Sequence, residues 1–207
     1  MSGPGGFMDE RALTVGQNVT GESAPPKSRD RLFFAVYPDP QAAQRLIELA
    51  EALRARHGLH GKPIPANRVH ITLHHLGDYC GLPEPLIETA GAAASRIAMS
   101  PFQVTLDCVS SFTGRGKRPC VLRSGDADAN QALHALQDNL GARLRDAGLG
   151  RHVERRFTPH VTLLYDERVV RPESVQPIAW AVRRLALVHS LLGRGEHRVL
   201  AAWELAR

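Results

Sequence analysis

Hydrophobic positions along the chain follow two rhythms, short continuous runs and stripes spaced three or four apart, and the two take turns from residue 31 onward. "RLFFAVYP" (31–38) is an unbroken apolar run closed by a proline, the pattern of a buried strand. Asp39 then offers an N-cap and Pro40 a first helical residue; Leu46, Ile47, Ala50 and Leu53 form one apolar stripe, and Gly58 ends the predicted helix. A strand is predicted at 69–76, a second helix over 83–99 ahead of Pro101, and a long strand at 102–112. The basic, glycine-rich turn "TGRGKR" leads into the strand "PCVLR". Leu133, Leu136, Leu140 and Leu144 predict a helix over 129–147, and strands at 160–165, about 178–189 and about 197–205 follow.

Each half thus carries strands, helix and one copy of a short motif. The expectation is an α+β fold of two pseudo-symmetric lobes, each an antiparallel sheet with flanking helices, built as one bilobal domain over residues 30–207. Residues 1–29, rich in Gly, Ser, Pro and Asn without periodicity, read as a flexible leader.

Composition narrows this picture a little. No apolar window reaches the ~18 residues that span a bilayer, and no basic start precedes an apolar block, so a soluble, cytoplasmic protein is expected with no membrane partner. Three cysteines at unrelated spacings suit a reducing compartment better than a disulfide framework and give no zinc pattern. The formal charge of +5 comes mostly from arginine, which favours an anionic partner, although a solvated basic surface explains it equally well.

The informative feature is a repeated tetrapeptide. "RVHITLHHLGD" (68–78) returns as "TPHVTLLYDE" (158–167), each containing His-x-Thr-Leu. With 10 His in the chain, about 0.05 such matches are expected by chance, so two are hard to attribute to composition. Strand alternation places His70 with Thr72 on one face, and His160 with Thr162 likewise. Two imidazoles can serve as base and acid around neutral pH, and hydroxyls can donate to phosphate oxygens, a set suited to in-line displacement at phosphorus with no metal and no other cofactor. His70 and His74 would lie about 13 Å apart on a regular strand, too far to share an ion. By the same alternation His74 would share the His70 face, as polar surface or cleft lining, and His75 would point away as a structural residue. His189–Ser190 lacks the GxSxG elbow of a serine hydrolase.

With "RLFFAVYPDP", "PIPANRVHITLHHLGD", "SFTGRGKRPCVLR" and "RFTPHVTLLYDE" in view, residues 31–205 resemble the bacterial 2',5' RNA ligase family, also named RNA 2',3'-cyclic phosphodiesterases, within the two-histidine phosphoesterase superfamily. The resemblance implies a bilobal fold with the two motifs facing across a cleft. It implies His70 as proton donor to the leaving ribose oxygen, His160 as the base that activates water, and Thr72 and Thr162 as phosphate contacts. The implied reaction opens a 2',3'-cyclic phosphate to a 2'-phosphate, with reversible, ATP-independent 2',5' joining in several members. Two positions depart from the family pattern: His75 stands where an aromatic residue is common, and Tyr165 where arginine is common. Candidate substrate contacts are therefore Tyr165 itself, Arg156 close before the second motif, and Arg115, Lys117 and Arg118 of the basic turn, whose backbone N–H groups could also form an anion nest. The expected partners are RNA ends or nucleotides bearing a cyclic phosphate, bound by a monomer. The alternative is a module that binds a nucleotide or RNA end without chemistry, against which stands the investment in two titrating imidazoles rather than stacking surfaces.

Overall fold

The computed structural model describes residues 29–126 and 128–206. Its elements run β1 (Asp30–Val36), α1 (Pro40–His57), β2 (Ile71–Tyr79), α2 (Glu84–Ala94), β3 (Phe102–Ser111), β4 (Arg118–Arg123), α3 (Gln131–Asp146), a 3-10 turn at Gly150–His152, β5 (His160–Asp166), β6 (Glu173–Val182), β7 (Arg184–Leu191) and β8 (Glu196–Glu204). They form two four-stranded antiparallel sheets, β2-β1-β7-β8 and β5-β4-β3-β6, accompanied by the three helices: a bilobal α+β fold.

The unbroken apolar run of β1 is explained by its place inside the first sheet, between β2 and β7. Leu32, Phe34 and Val36 enter the main core, while Phe33 and Ala35 pack with Ala186 and Val188 on the opposite face. Both faces are covered, so alternation disappears from the sequence. The first helix forms as its signals predict: the Asp39 side chain accepts the Ala42 N–H at 2.8 Å, and Gly58 closes the helix at φ 62°, its N–H donating to the Arg54 carbonyl. A single hydrophobic cluster then takes Leu46 and Leu53 from α1, Leu133 to Leu144 from α3, and residues of both sheets, among them Ile71, Leu106, Val161 and Leu187.

Several expectations need correction. The strand expected at about 178–189 is two strands in different sheets, β6 and β7, with Arg183 alone between them. The helix predicted to residue 99 ends at Ala94. The lobes are not the two halves of the chain: β3 to β6 build one sheet without interruption, whereas the other is begun by β1 and β2 and completed by β7 and β8. Arg29, assigned to the leader, joins the first sheet, donating to the Tyr79 carbonyl and accepting from Leu192 N–H, both at 2.8 Å. The remainder of that leader lies outside the described residues, in which no helix is long and apolar enough to cross a membrane.

The two motif strands share an irregularity. Against β1, Ala35 pairs with Thr72 and Phe34 with His74, so Leu73 is an extra residue in β2. Against β4, Val121 pairs with Thr162 and Cys120 with Leu164, which makes Leu163 the extra residue in β5. A bulge inserted at the same place in both repeats reverses the alternation downstream of each motif.

Candidate active site

Between the sheets lies a cleft of about 450 Å³ bordered by His70, Thr72 and His75 from the first motif and by His160, Thr162 and Tyr165 from the second. The bulges account for this lining. Leu73 and His74 both turn inward, as do Leu163 and Leu164, so positions 75 and 165 return to the motif face. The expectation for His74 and His75 is therefore reversed. His74 is fully buried, donating from Nε2 to the Gln137 carbonyl at 2.9 Å and accepting the Glu154 N–H on Nδ1 at 3.1 Å. His75 faces the cleft and meets Asp78 Oδ1 at 3.1 Å.

The two motif histidines are held alike. His70 Nδ1–H donates to the Arg68 carbonyl at 2.6 Å, and His160 Nδ1–H donates to the Thr158 carbonyl at 2.7 Å. Each bond to a residue two positions back fixes the tautomer, leaving Nε2 to exchange protons. The Thr72 hydroxyl lies 3.1 Å from His70 Nε2. Phe33 stacks on the His70 ring at a centroid distance of 4.9 Å, and Phe112 meets the His160 ring edge-on at 4.8 Å. Burial lowers both pKa values. For His70 the value falls to about 4, opposed by the Arg68 carbonyl and assisted by the positive charges of His160 and Arg68. For His160 it falls below the ordinary imidazole value against the pull of the Thr158 carbonyl.

The basic candidates are divided by the structure. Arg156 borders an adjoining hollow of about 510 Å³ with His160, Phe112 and Phe157. Arg115, Lys117 and Arg118 are not among the residues that line the cleft. Arg118 donates instead to the carbonyls of Gly114 and Glu167, tying the β3–β4 turn to the end of β5. Arg31, Phe33, Arg68 and His197, which were not singled out in the sequence, line the cleft, together with Ser190, which was weighed there only as a nucleophile. Arg68 belongs to the turn that precedes β2, its N–H donating to the Pro65 carbonyl, so strand alternation did not mark it. Arg31 is masked by the two-sided burial of β1, and His197 comes from the far edge strand with nothing local to mark it. Ser190 and His189 point apart: His189 Nε2 pairs with Asp30 Oδ1 at 2.8 Å, away from the cleft that Ser190 borders. Although four histidines line the cleft, no group of three or more His, Cys, Asp or Glu side chains is arranged to hold a metal ion among the described residues.

Comparison with known proteins identifies relatives of the whole chain. The chain is 30% identical over 183 residues to the RNA 2',3'-cyclic phosphodiesterase of Escherichia coli, covering 86% of this chain and 97% of that one. It is 28% identical over 174 residues to the protein of the same name from Thermus thermophilus, covering 78% and 82%. Among solved structures, one from Thermus thermophilus superposes with a TM-score of 0.68 at 26% identity, over 84% of this chain and 97% of that one. Escherichia coli LigT complexed with 3'-AMP superposes with a TM-score of 0.63 at 26% identity, over 87% and 100%. Residues 37–194, which hold both motifs and the strands from β2 to β7, match the 2'-5' RNA ligase superfamily, and the chain belongs to that family.

Proposed function

We propose that the protein is a metal-independent RNA 2',3'-cyclic phosphodiesterase working by paired histidine acid–base catalysis. The observation that supports this most is the symmetric mounting of His70 and His160: each Nδ1–H is committed to a backbone carbonyl, and both rings border one cleft. In the proposed reaction His160 Nε2 takes a proton from water as the water oxygen bonds to phosphorus. The bond from phosphorus to the ribose 3'-oxygen breaks, and protonated His70 gives its Nε2 proton to that oxygen, leaving a 2'-phosphate. In this reading Thr72 and Thr162 donate to the equatorial oxygens, and Arg31, which lines the same cleft, supplies positive charge. The curated relatives are named for this activity, and the LigT structures complexed with 3'-AMP and with phosphate are consistent with a nucleotide cleft.

Joining of RNA ends is the second reading, with a 5'-hydroxyl in place of water. The hollow beside His160, walled by Phe112, Phe157 and Arg156, offers room for such a terminus on the side where the nucleophile would enter.

The test is hydrolysis of an RNA ending in 2',3'-cyclic phosphate, with the product's phosphate position read by phosphorus NMR. The expected product is the 2'-phosphate, formed equally fast in EDTA, and His70→Ala or His160→Ala should each lower kcat by about 100- to 10,000-fold with unchanged circular dichroism. Loss of activity on chelation, or near-normal activity of either alanine variant, would remove the two-histidine scheme.

A further inference from the structure

Around His70 the protein leaves a group of polar atoms without partners. Tyr37 Oη, Arg68 Nε and His197 Nδ1 are buried and have no hydrogen-bond partner. Buried polar groups are nearly always satisfied, so a cluster of three needs a reason. The rings of Tyr37 and His197 pack around that of His70, at centroid distances of 5.8 and 5.2 Å, and the Arg68 charge acts on Tyr37, His70 and His197 alike. A phenol, a guanidinium N–H and an imidazole N–H can all donate, and the ion pairs among the described residues give Arg68 no carboxylate. Gly195 of the β7–β8 turn leaves room for the guanidinium: a Cβ there would stand 3.1 Å from Arg68 Nη1. Donors without an acceptor, gathered around an uncompensated cation, describe an anion site.

His197 is also the wall shared with a second hollow, of about 550 Å³, outside the two-histidine cleft. Its sides are apolar, from Pro38, Ala186, Val199 and Ala202, and Asn67 and Arg184 supply polar and cationic groups. That combination of flat apolar walls and a few polar groups suits a nucleoside. A lone cyclic mononucleotide would use the cleft and leave this hollow empty.

We infer that Tyr37, Arg68 and His197 bind the phosphodiester that links the last two nucleotides of an RNA, and that the hollow behind His197 receives the penultimate nucleoside. The substrate is then an oligonucleotide end rather than a cyclic mononucleotide. This inference rests on the proposed cyclic phosphodiesterase reading and narrows its substrate class.

The experiment compares a dinucleotide ending in 2',3'-cyclic phosphate with the cyclic mononucleotide of the same terminal base. The wild-type protein should favour the dinucleotide by about tenfold or more in kcat/KM, the scale of one or two charge-assisted hydrogen bonds. Val199→Trp, which fills the hollow, and Arg68→Gln, which removes the cation, should each bring the ratio towards one. Calorimetric binding of the corresponding dinucleotide and mononucleotide 2'-phosphates gives the same ratio without turnover. If neither cyclic phosphate is opened but the dinucleotide still binds about tenfold more tightly, the subsite stands and the hydrolase reading falls. Equal kcat/KM and equal affinity for the two lengths in the wild-type protein, or a preference that both variants retain, would overturn the subsite.

Discussion

At the scale of single residues, the site is defined by how its imidazoles are kept neutral. His70, with a pKa of about 4, and His160, lowered by burial, both titrate below the ordinary 6.5 in the free protein. In the proposed reaction a base is ready in this state, whereas His70 would have to be protonated when substrate binds, and an anion in the cleft would favour that charge. Because kcat/KM reports the free protein, it should fall about tenfold per pH unit between pH 7 and 8, where the protonated fraction of His70 shrinks. A pH–rate profile with a cyclic phosphate substrate checks this, and a level kcat/KM across that interval would contradict it.

At the scale of the elements, the paired bulges decide which residues meet the substrate. His74 and His75 exchange the roles that regular alternation assigns them, and mutation should separate the two. His74→Ala would leave the Glu154 N–H unpartnered and a cavity where the fully buried ring packs, and should cost about 2–4 kcal/mol in urea denaturation. His75→Ala, at a position open to the cleft and bonded to Asp78, should leave the denaturation midpoint nearly unchanged and alter KM instead. The bulges were not legible because a bulge depends on the partner strand: "ITLHH" and "VTLLY" contain no glycine or proline at the extra leucine. What was legible followed local rules. The Asp39–Pro40 start and Gly58 stop of α1, the leucine stripe of α3, and the shared face of each His-x-Thr pair all depend on neighbours within a few residues. The β6–β7 boundary lacked such a signal, since "PIAWAVRRLALVHS" passes from one sheet to the other without a turn residue.

At the scale of the molecule, the lobes are fastened together. The Ile64 N–H donates to the carbonyl of the bulged Leu163 at 2.8 Å, so the segment entering the first motif pairs with the strand of the second. Asp166 adds to this: it accepts the Gly61 N–H at 2.7 Å, the Arg168 N–H at 2.8 Å and the His60 N–H, and although burial acts to raise its pKa, these donors hold it below the ordinary value. With one hydrophobic cluster besides, the lobes should unfold together. Trp180 reports on one sheet and Trp203 on the other, so single-tryptophan variants should give coincident thermal transitions. The transition should also be acid-sensitive. Burial is the leading cause of a lowered pKa at His70, His74, His152, His160 and His197, so each folded-state value lies below that of the unfolded chain. Their contribution is complete above pH 6.5 and is lost as pH falls from there towards 4. His70 sets an upper limit of about 3 kcal/mol for one ring, reduced in practice because it borders the open cleft. Calorimetry at pH 7 and pH 5 should show a lower Tm at the more acid value, and an unchanged Tm would refute the assignment.

The return of β7 and β8 to the first sheet fixes an order of events during synthesis. The strands that carry His160 and its neighbours leave the ribosome as a consecutive set and can close their sheet while β7 and β8 are still in the exit tunnel. Until those last strands emerge, β1 has a bare edge and His70 has no neighbouring His197, so the second motif can be framed before the first.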